Sequence, residues 1–140
     1  MSLSPCLAPE KARLISPLQL AYIGDSVHTL MTRTRLMRVE RRMSDMHRLA
    51  TACVNAAAQA RALARLLPFL TEEEAEMVRR GRNAHAHHTL PKAATAEDYA
   101  AATALETLYG YLFMCGRTAR LAEIDEICCR EEESPCPKKI

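Results

Sequence analysis

A glycine and a carboxylate stand side by side at the centre of LQLAYIGDSVHTLMTRTRL, residues 18–36, which otherwise has the pattern of one amphipathic helix. Leu20, Ile23, Val27 and Leu30 recur at the spacing of a single helical face. Gly24 costs such a helix about 1 kcal/mol relative to alanine. Asp25, beside an apolar face, needs a partner or a cation. A fold that keeps both must bring a second element close to Gly24 and must give Asp25 a charge-balancing neighbour. The rest of the chain offers helices for this purpose. Alanine is abundant, glycine is limited to 4 residues and aromatics to 4%. There are no β-branched runs. The expected fold class is all-α, with about five main helices in a single domain over residues 1–140.

Helix boundaries are written locally. Ser16-Pro17-Leu18-Gln19 is a capping box with proline at the first helical position, opening a helix that runs to about Leu36. Ser44 is the expected cap of a second helix reaching Pro68, with Leu49, Ala52 or Cys53, Ala56, Ala60, Leu63 and Leu67 on its apolar stripe. Thr71 to Glu74 is another capping box, with acids in the first turn where the helix dipole favours them. That helix is expected to end around Gly81 to Asn83, with Asn83 closing it. NAHAHHTLPKAA then forms a loop in which Pro91 blocks helix continuation. Thr95 starts a helix with Asp98 three residues on and a stop at Gly116. A last helix covers roughly Thr118 to Glu131, and residues 132–140 have the composition of a disordered tail.

No apolar run is long enough to span a bilayer, and the N-terminal residues lack the apolar segment of a signal peptide. The chain is therefore expected in the cytoplasm, with no membrane partner. Cys53 and Cys115 fall in helices as small core residues. Cys128, Cys129 and Cys136 form no CxxC pair, so neither a disulfide framework nor a zinc site is expected. Net charge is only +2, but the charges are sorted. Arg33, Arg35, Arg38, Arg41, Arg42 and Arg48 face few acids nearby, and residues 79–92 carry Arg79, Arg80, Arg82 and Lys92 with none. Acids gather at Glu123, Asp125, Glu126 and Glu131 to Glu133. Such sorting fits either a basic face for nucleic acid or ordinary solvated helix surfaces.

A second helix repeats the oddity of the first. ATALETLYGYLF places Glu106 in an apolar run with Gly110 one turn on. Two such helices crossing at their glycines would oppose two carboxylates, which tolerate each other only if one holds a proton or a cation lies between them. Oxygen ligands of this kind suit Mg²⁺ or Mn²⁺, and Mg²⁺ commonly joins one or two carboxylates to substrate phosphates. Beside a basic surface, this pattern suggests phosphodiester hydrolysis. A cap or a core ion pair with arginine is the alternative that spacing alone leaves open.

LAYIGDSV and ATALETLYGYLF together resemble the two signature helices of the ribonuclease III catalytic domain. RRGRNA, the TLPK loop and TALETLYGYL, in that family's order and spacing, with VNAAAQARAL fitting the intervening helix, resemble more narrowly its short form, mini-ribonuclease III, which lacks a double-stranded-RNA-binding domain. The resemblance covers roughly residues 14–125. It implies an all-helical homodimer with an RNA-binding valley, cutting double-stranded RNA to leave 5′-phosphate and 3′-hydroxyl ends. It also implies a role in maturing the ends of the 23S ribosomal RNA precursor, with a large-subunit ribosomal protein or pre-ribosomal particle as a further partner. Asp25 falls on the family's catalytic aspartate, and Glu106 on its metal-binding glutamate, with Mg²⁺ as cofactor and Mn²⁺ as a substitute. Arg80, Arg82, Asn83, His85, His87, His88 and Lys92 fall in the basic segment expected to meet RNA. Ala21, Thr29 and Thr103 stand where related sequences place further carboxylates, so this site is poor in acids. A non-catalytic dimeric double-stranded-RNA-binding module is the alternative.

Overall fold

The computed structural model describes residues 2–84 and 95–130. These form α1 (Pro9–Ala12), α2 (Pro17–Leu36), α3 (Met43–Val54), α4 (Ala56–Leu66), α5 (Glu72–Ala84), α6 (Ala96–Met114) and α7 (Thr118–Cys128), with a short 3₁₀ turn over Leu67–Phe69. Among the described residues there is no strand, as the composition predicts. His85, His87, His88, Lys92 and the tail at 132–140 lie outside the described residues.

The expected caps that hold are the local ones. The Ser16 hydroxyl accepts from the Gln19 N–H at 3.1 Å. Thr71 and Glu74 cap reciprocally: the Glu74 N–H donates to the Thr71 hydroxyl at 3.2 Å, and the Thr71 N–H to the Glu74 carboxylate at 2.9 Å. Thr95 accepts from the Asp98 N–H at 3.1 Å.

The helix expected from Ser44 to Pro68 is two helices. Asn55 breaks it in an extended conformation, φ −83° and ψ 159°. Its side chain serves both sides of the break. Nδ2 donates to the Thr51 and Ala52 carbonyls at the end of α3, and Oδ1 accepts from the Ala58 N–H at the start of α4. Ser44 lies inside α3 rather than capping it; Arg42 holds the cap position without a side-chain bond. Asn55→Ala is expected to cost about 1–2 kcal/mol, the usual loss for a removed asparagine cap. A shift in the urea midpoint without a change in slope would register it.

α6 lies at the centre and packs against α2, α4, α5 and α7. From Ala101 to Leu112 every residue except Glu106 is buried. A helix apolar all round is a buried helix, and this one has neighbours on every side. Gly81 does not end α5. It is buried within the helix, where an added Cβ would lie 2.5 Å from the Thr107 hydroxyl oxygen and 2.9 Å from Ala104 Cα on α6. Asn83 is likewise inside α5, which continues to Ala84.

On α2 the buried face is Leu20, Ala21, Gly24, Val27, His28, Thr32 and Leu36. Leu30, expected on that stripe, is 56% exposed. Two other expectations also shift. Asp125 is not a surface acid. It is 9% exposed, accepts from the Tyr109 hydroxyl at 2.9 Å, and pairs with Arg35 at 3.1 Å. Arg35 is thereby turned inward, while Arg79 pairs with Glu76, and Arg42 and Arg48 lie near Asp45, so the basic run is partly neutralised in place. Among the described cysteines Cys128 and Cys129 are buried, with Cys53 and Cys115 half-buried.

Candidate active site

Gly24 and Gly110 face each other's helix at the crossing of α2 and α6. A Cβ on Gly24 would fall 1.7 Å from the Glu106 carbonyl oxygen, and one on Gly110 would fall 1.9 Å from the Leu20 carbonyl oxygen. Backbone thus touches backbone, which only residues without a side chain allow. The consequence is chemical. Asp25 follows Gly24 directly, and its helix meets α6 at the carbonyl of Glu106 itself. The crossing therefore brings the two acids to one place.

Asp25 is exposed, whereas Glu106 is half-buried between its helix and the cavity beside it. Burial, then the facing Asp25 carboxylate, push Glu106 from 4.5 up to about 8, while the Gln59 side chain opposes the rise. In the metal-free protein Glu106 therefore holds its proton at neutral pH.

Both acids line a cavity of about 600 Å³. Its walls come from α6, through Asp98, Tyr99 and Thr103, and from the start of α4, through Asn55, Ala56 and Gln59. Asp98 and Gln59 were not foreseen as part of a site. Asp98 had a legible signal, since 98, 102 and 106 share one helical face at the i, i+4 spacing. Gln59 had less, being a lone polar residue in an alanine-rich run. It is 4% exposed, and its Nε2 is buried with no hydrogen-bond partner. Thr103 lines the same cavity as a neutral residue.

The donor set is all oxygen and amide. Among the described residues no group of three or more His, Cys, Asp or Glu side chains is arranged as a metal cluster. Two carboxylates that cannot both ionise without a counter-charge nonetheless fit a hard divalent cation that keeps waters and takes one or two protein ligands.

Arg80, Arg82 and Asn83, expected to meet RNA, sit at the C-terminal end of α5. Arg82 and Asn83 are exposed there. The Arg80 guanidinium instead donates to the Arg13 carbonyl at 3.0 Å, tying α5 to the end of α1.

The ribonuclease III domain model matches residues 18–117, a span that holds Asp25, Glu106 and both crossing glycines. The chain belongs to the ribonuclease III family. Among its relatives, mini-ribonuclease 3 of Symbiobacterium thermophilum is 47% identical over 79% of this chain and 85% of that protein. Mini-ribonuclease 3 of Synechocystis is 45% identical over 90% and 83%, and that of Synechococcus is 44% identical over 78% of each. A crystal structure of a Fusobacterium nucleatum protein superposes with a TM-score of 0.76 at 26% identity, covering 84% of this chain and 93% of that one. Membership of the ribonuclease III family supports endoribonuclease activity, the hydrolysis of phosphodiesters in RNA, as the reaction class of the chain. No helix among the described residues is long and apolar enough to cross a membrane.

Proposed function

We propose that this protein is a divalent-metal-dependent endoribonuclease that cuts double-stranded RNA at the Asp25–Glu106 site. The observation that carries the reading is the α2–α6 crossing, which holds one exposed carboxylate against one that burial keeps protonated in the absence of a cation. Asp25 and Glu106 would hold Mg²⁺, or Mn²⁺ in its place. Such an ion, when bound, supplies charge neutralisation at the scissile phosphate and a more acidic water. Glu106 would hold the ion as a carboxylate, its proton released, and Asp25, already in contact with solvent, would be the second ligand. Asp98 stands at the same cavity wall, where it can hold a water. The products are 5′-phosphate and 3′-hydroxyl ends.

The working form in this reading is a cytoplasmic homodimer. Tyr22 and Leu30 on α2 and Met37 at its C-cap support it: they are 83%, 56% and 62% exposed, apolar surface that a second copy would cover. The substrate we assign is a stem at the ends of the 23S ribosomal RNA precursor, presented within a pre-ribosomal particle or by a large-subunit ribosomal protein. His85, His87, His88 and Lys92, with Arg82, contribute donors and charge to phosphates of that stem.

The test is cleavage of a duplex carrying the precursor stem, in Mg²⁺ or in EDTA, by the wild type and by Asp25→Asn. Cuts that need the metal and vanish in the variant, while the variant still retards the duplex on a gel, are expected. Retardation by the wild type with no cuts in Mg²⁺ or Mn²⁺ would sink the enzyme in favour of a binding module.

A further inference from the structure

The cavity that holds the two acids has a second wall with the opposite character. It is built from the first turn of α4, at Asn55, Ala56 and Ala57, and from Gln59 one turn on. The first N–H groups of a helix have no partner inside it. Here the Asn55 side chain takes only that of Ala58. Among the described residues no hydrogen bond satisfies the N–H of Ala56 or Ala57. α4 has 11 residues, long enough for its N-terminus to carry the positive end of a helix dipole.

Gln59 is the independent sign that something binds there. A glutamine amide buried to this degree costs free energy unless bonded. Its Nε2 nevertheless completes no hydrogen bond, although the side chain lies close enough to Glu106 to act on it. Gln59 lines the same cavity as Ala56, Ala57 and Glu106. Its last torsion is soft, and a turn about it directs the donor into the cavity.

We propose that the N-terminal turn of α4, through the Ala56 and Ala57 N–H groups together with the Gln59 amide, is a phosphate-oxygen subsite that seats a backbone phosphate of the RNA against the Asp25–Glu106 pair. This rests on the nuclease reading for the identity of the ligand, though not for the donor set. Helix N-termini bind phosphate by this combination of open donors and dipole. Asp25, Glu106 and Asp98 face the same cavity, so the anion binds there with a divalent cation present and is repelled without one.

The two kinds of donor can be removed separately. Ala56→Pro deletes one N–H at the first helical position, where proline is tolerated. The preceding Asn55, at φ −83° and ψ 159°, already has the backbone that a following proline requires. Gln59→Met removes the amide at similar volume. Inorganic phosphate is titrated into the protein in Mg²⁺ and in EDTA while the amide resonances of Ala56, Ala57 and the Gln59 side chain are followed by NMR. Saturable shifts in Mg²⁺ alone are expected, with the affinity about tenfold weaker in either variant. On duplex RNA, kcat should fall about 10- to 100-fold with KM changed less than about threefold, because the rest of the duplex is held elsewhere.

Absent shifts, or variants with wild-type phosphate affinity and wild-type kcat, overturn the subsite. If Gln59→Met fails to fold, Ala56→Pro decides alone. A wild type that binds phosphate at these amides but never cuts RNA overturns the nuclease reading and leaves the subsite standing. A wild type that cuts RNA without these shifts does the reverse.

Discussion

Gly24→Ala is expected to destabilise the protein by about 4 kcal/mol or more, a large share of the 5–15 kcal/mol that holds a typical domain together. Propensity alone predicts the opposite sign, since alanine favours an exposed helix over glycine by about 1 kcal/mol. The structure decides between the two. The new methyl would lie 1.7 Å from the Glu106 carbonyl oxygen, 2.6 Å from its carbonyl carbon and 2.8 Å from the Gly110 nitrogen. All three are backbone atoms in the most buried helix of the fold, so no flexible side chain can give way. α2 and α6 would have to separate along a seam that also holds the Thr107 hydroxyl on the Pro17 carbonyl and the His28 ring against Tyr109. Gly110→Ala meets the same obstacle from the other side, at the Leu20 carbonyl. The two substitutions should therefore combine with less than additive cost, because one separation relieves both clashes. Thermal and urea unfolding followed by circular dichroism measures this. A Gly24→Ala protein that melts at or above the wild type would show that the helices do not touch as described.

The same glycine marks what the sequence makes legible. Its neighbour Asp25 and the matching Glu106–Gly110 pair could be picked out because each breaks a local rule, and the break points to a function. Ser16, Thr71 and Thr95 were legible for a related reason, since a cap and its acceptor lie within one turn. The break at Asn55 was not, although an asparagine in an alanine-rich helix is itself a small anomaly. Cys53 and Ala56 continue the apolar spacing across it, and periodicity cannot see a chain that bends but keeps its register. Asp125 was hidden by its surroundings. It sits among exposed acids, and its partner Arg35 lies 90 residues away in the chain, a pairing created only when α2 and α7 both pack on α6. The wall formed by Asn55, Ala56 and Gln59 was hidden for the same reason, because which face of α4 turns toward Glu106 is decided by tertiary contact rather than by spacing.

Glu106→Gln should give a protein that is more stable at alkaline pH and nearly inactive. In metal-free wild type the folded state keeps the Glu106 proton up to about pH 8, whereas the unfolded chain releases it near 4.5. Between those values the unfolded state binds fewer protons, so stability falls as pH rises from about 4.5 to about 8 and levels off above. Each unit of displacement is worth about 1.4 kcal/mol, which sets a ceiling of about 5 kcal/mol, and solvent in the open cavity lowers this to about 2–3 kcal/mol. Glutamine has no proton to lose, so in EDTA the variant should gain on the wild type by about 1–2 kcal/mol from pH 6 to pH 9, the part of the window that remains above pH 6, read as a difference in urea midpoints. Mg²⁺ should flatten the wild-type curve, because the cation replaces the proton. It should bind about tenfold more tightly for each unit of pH rise below about 8. Single-turnover cleavage of duplex RNA by the variant should fall about 1,000-fold or more, the scale of losing a ligand that stabilises charge in the transition state. A variant less stable than the wild type at pH 9, or one that still cuts at a wild-type rate, would mean that Glu106 is an ordinary half-buried acid and that the cost of holding it beside Asp25 serves some other end.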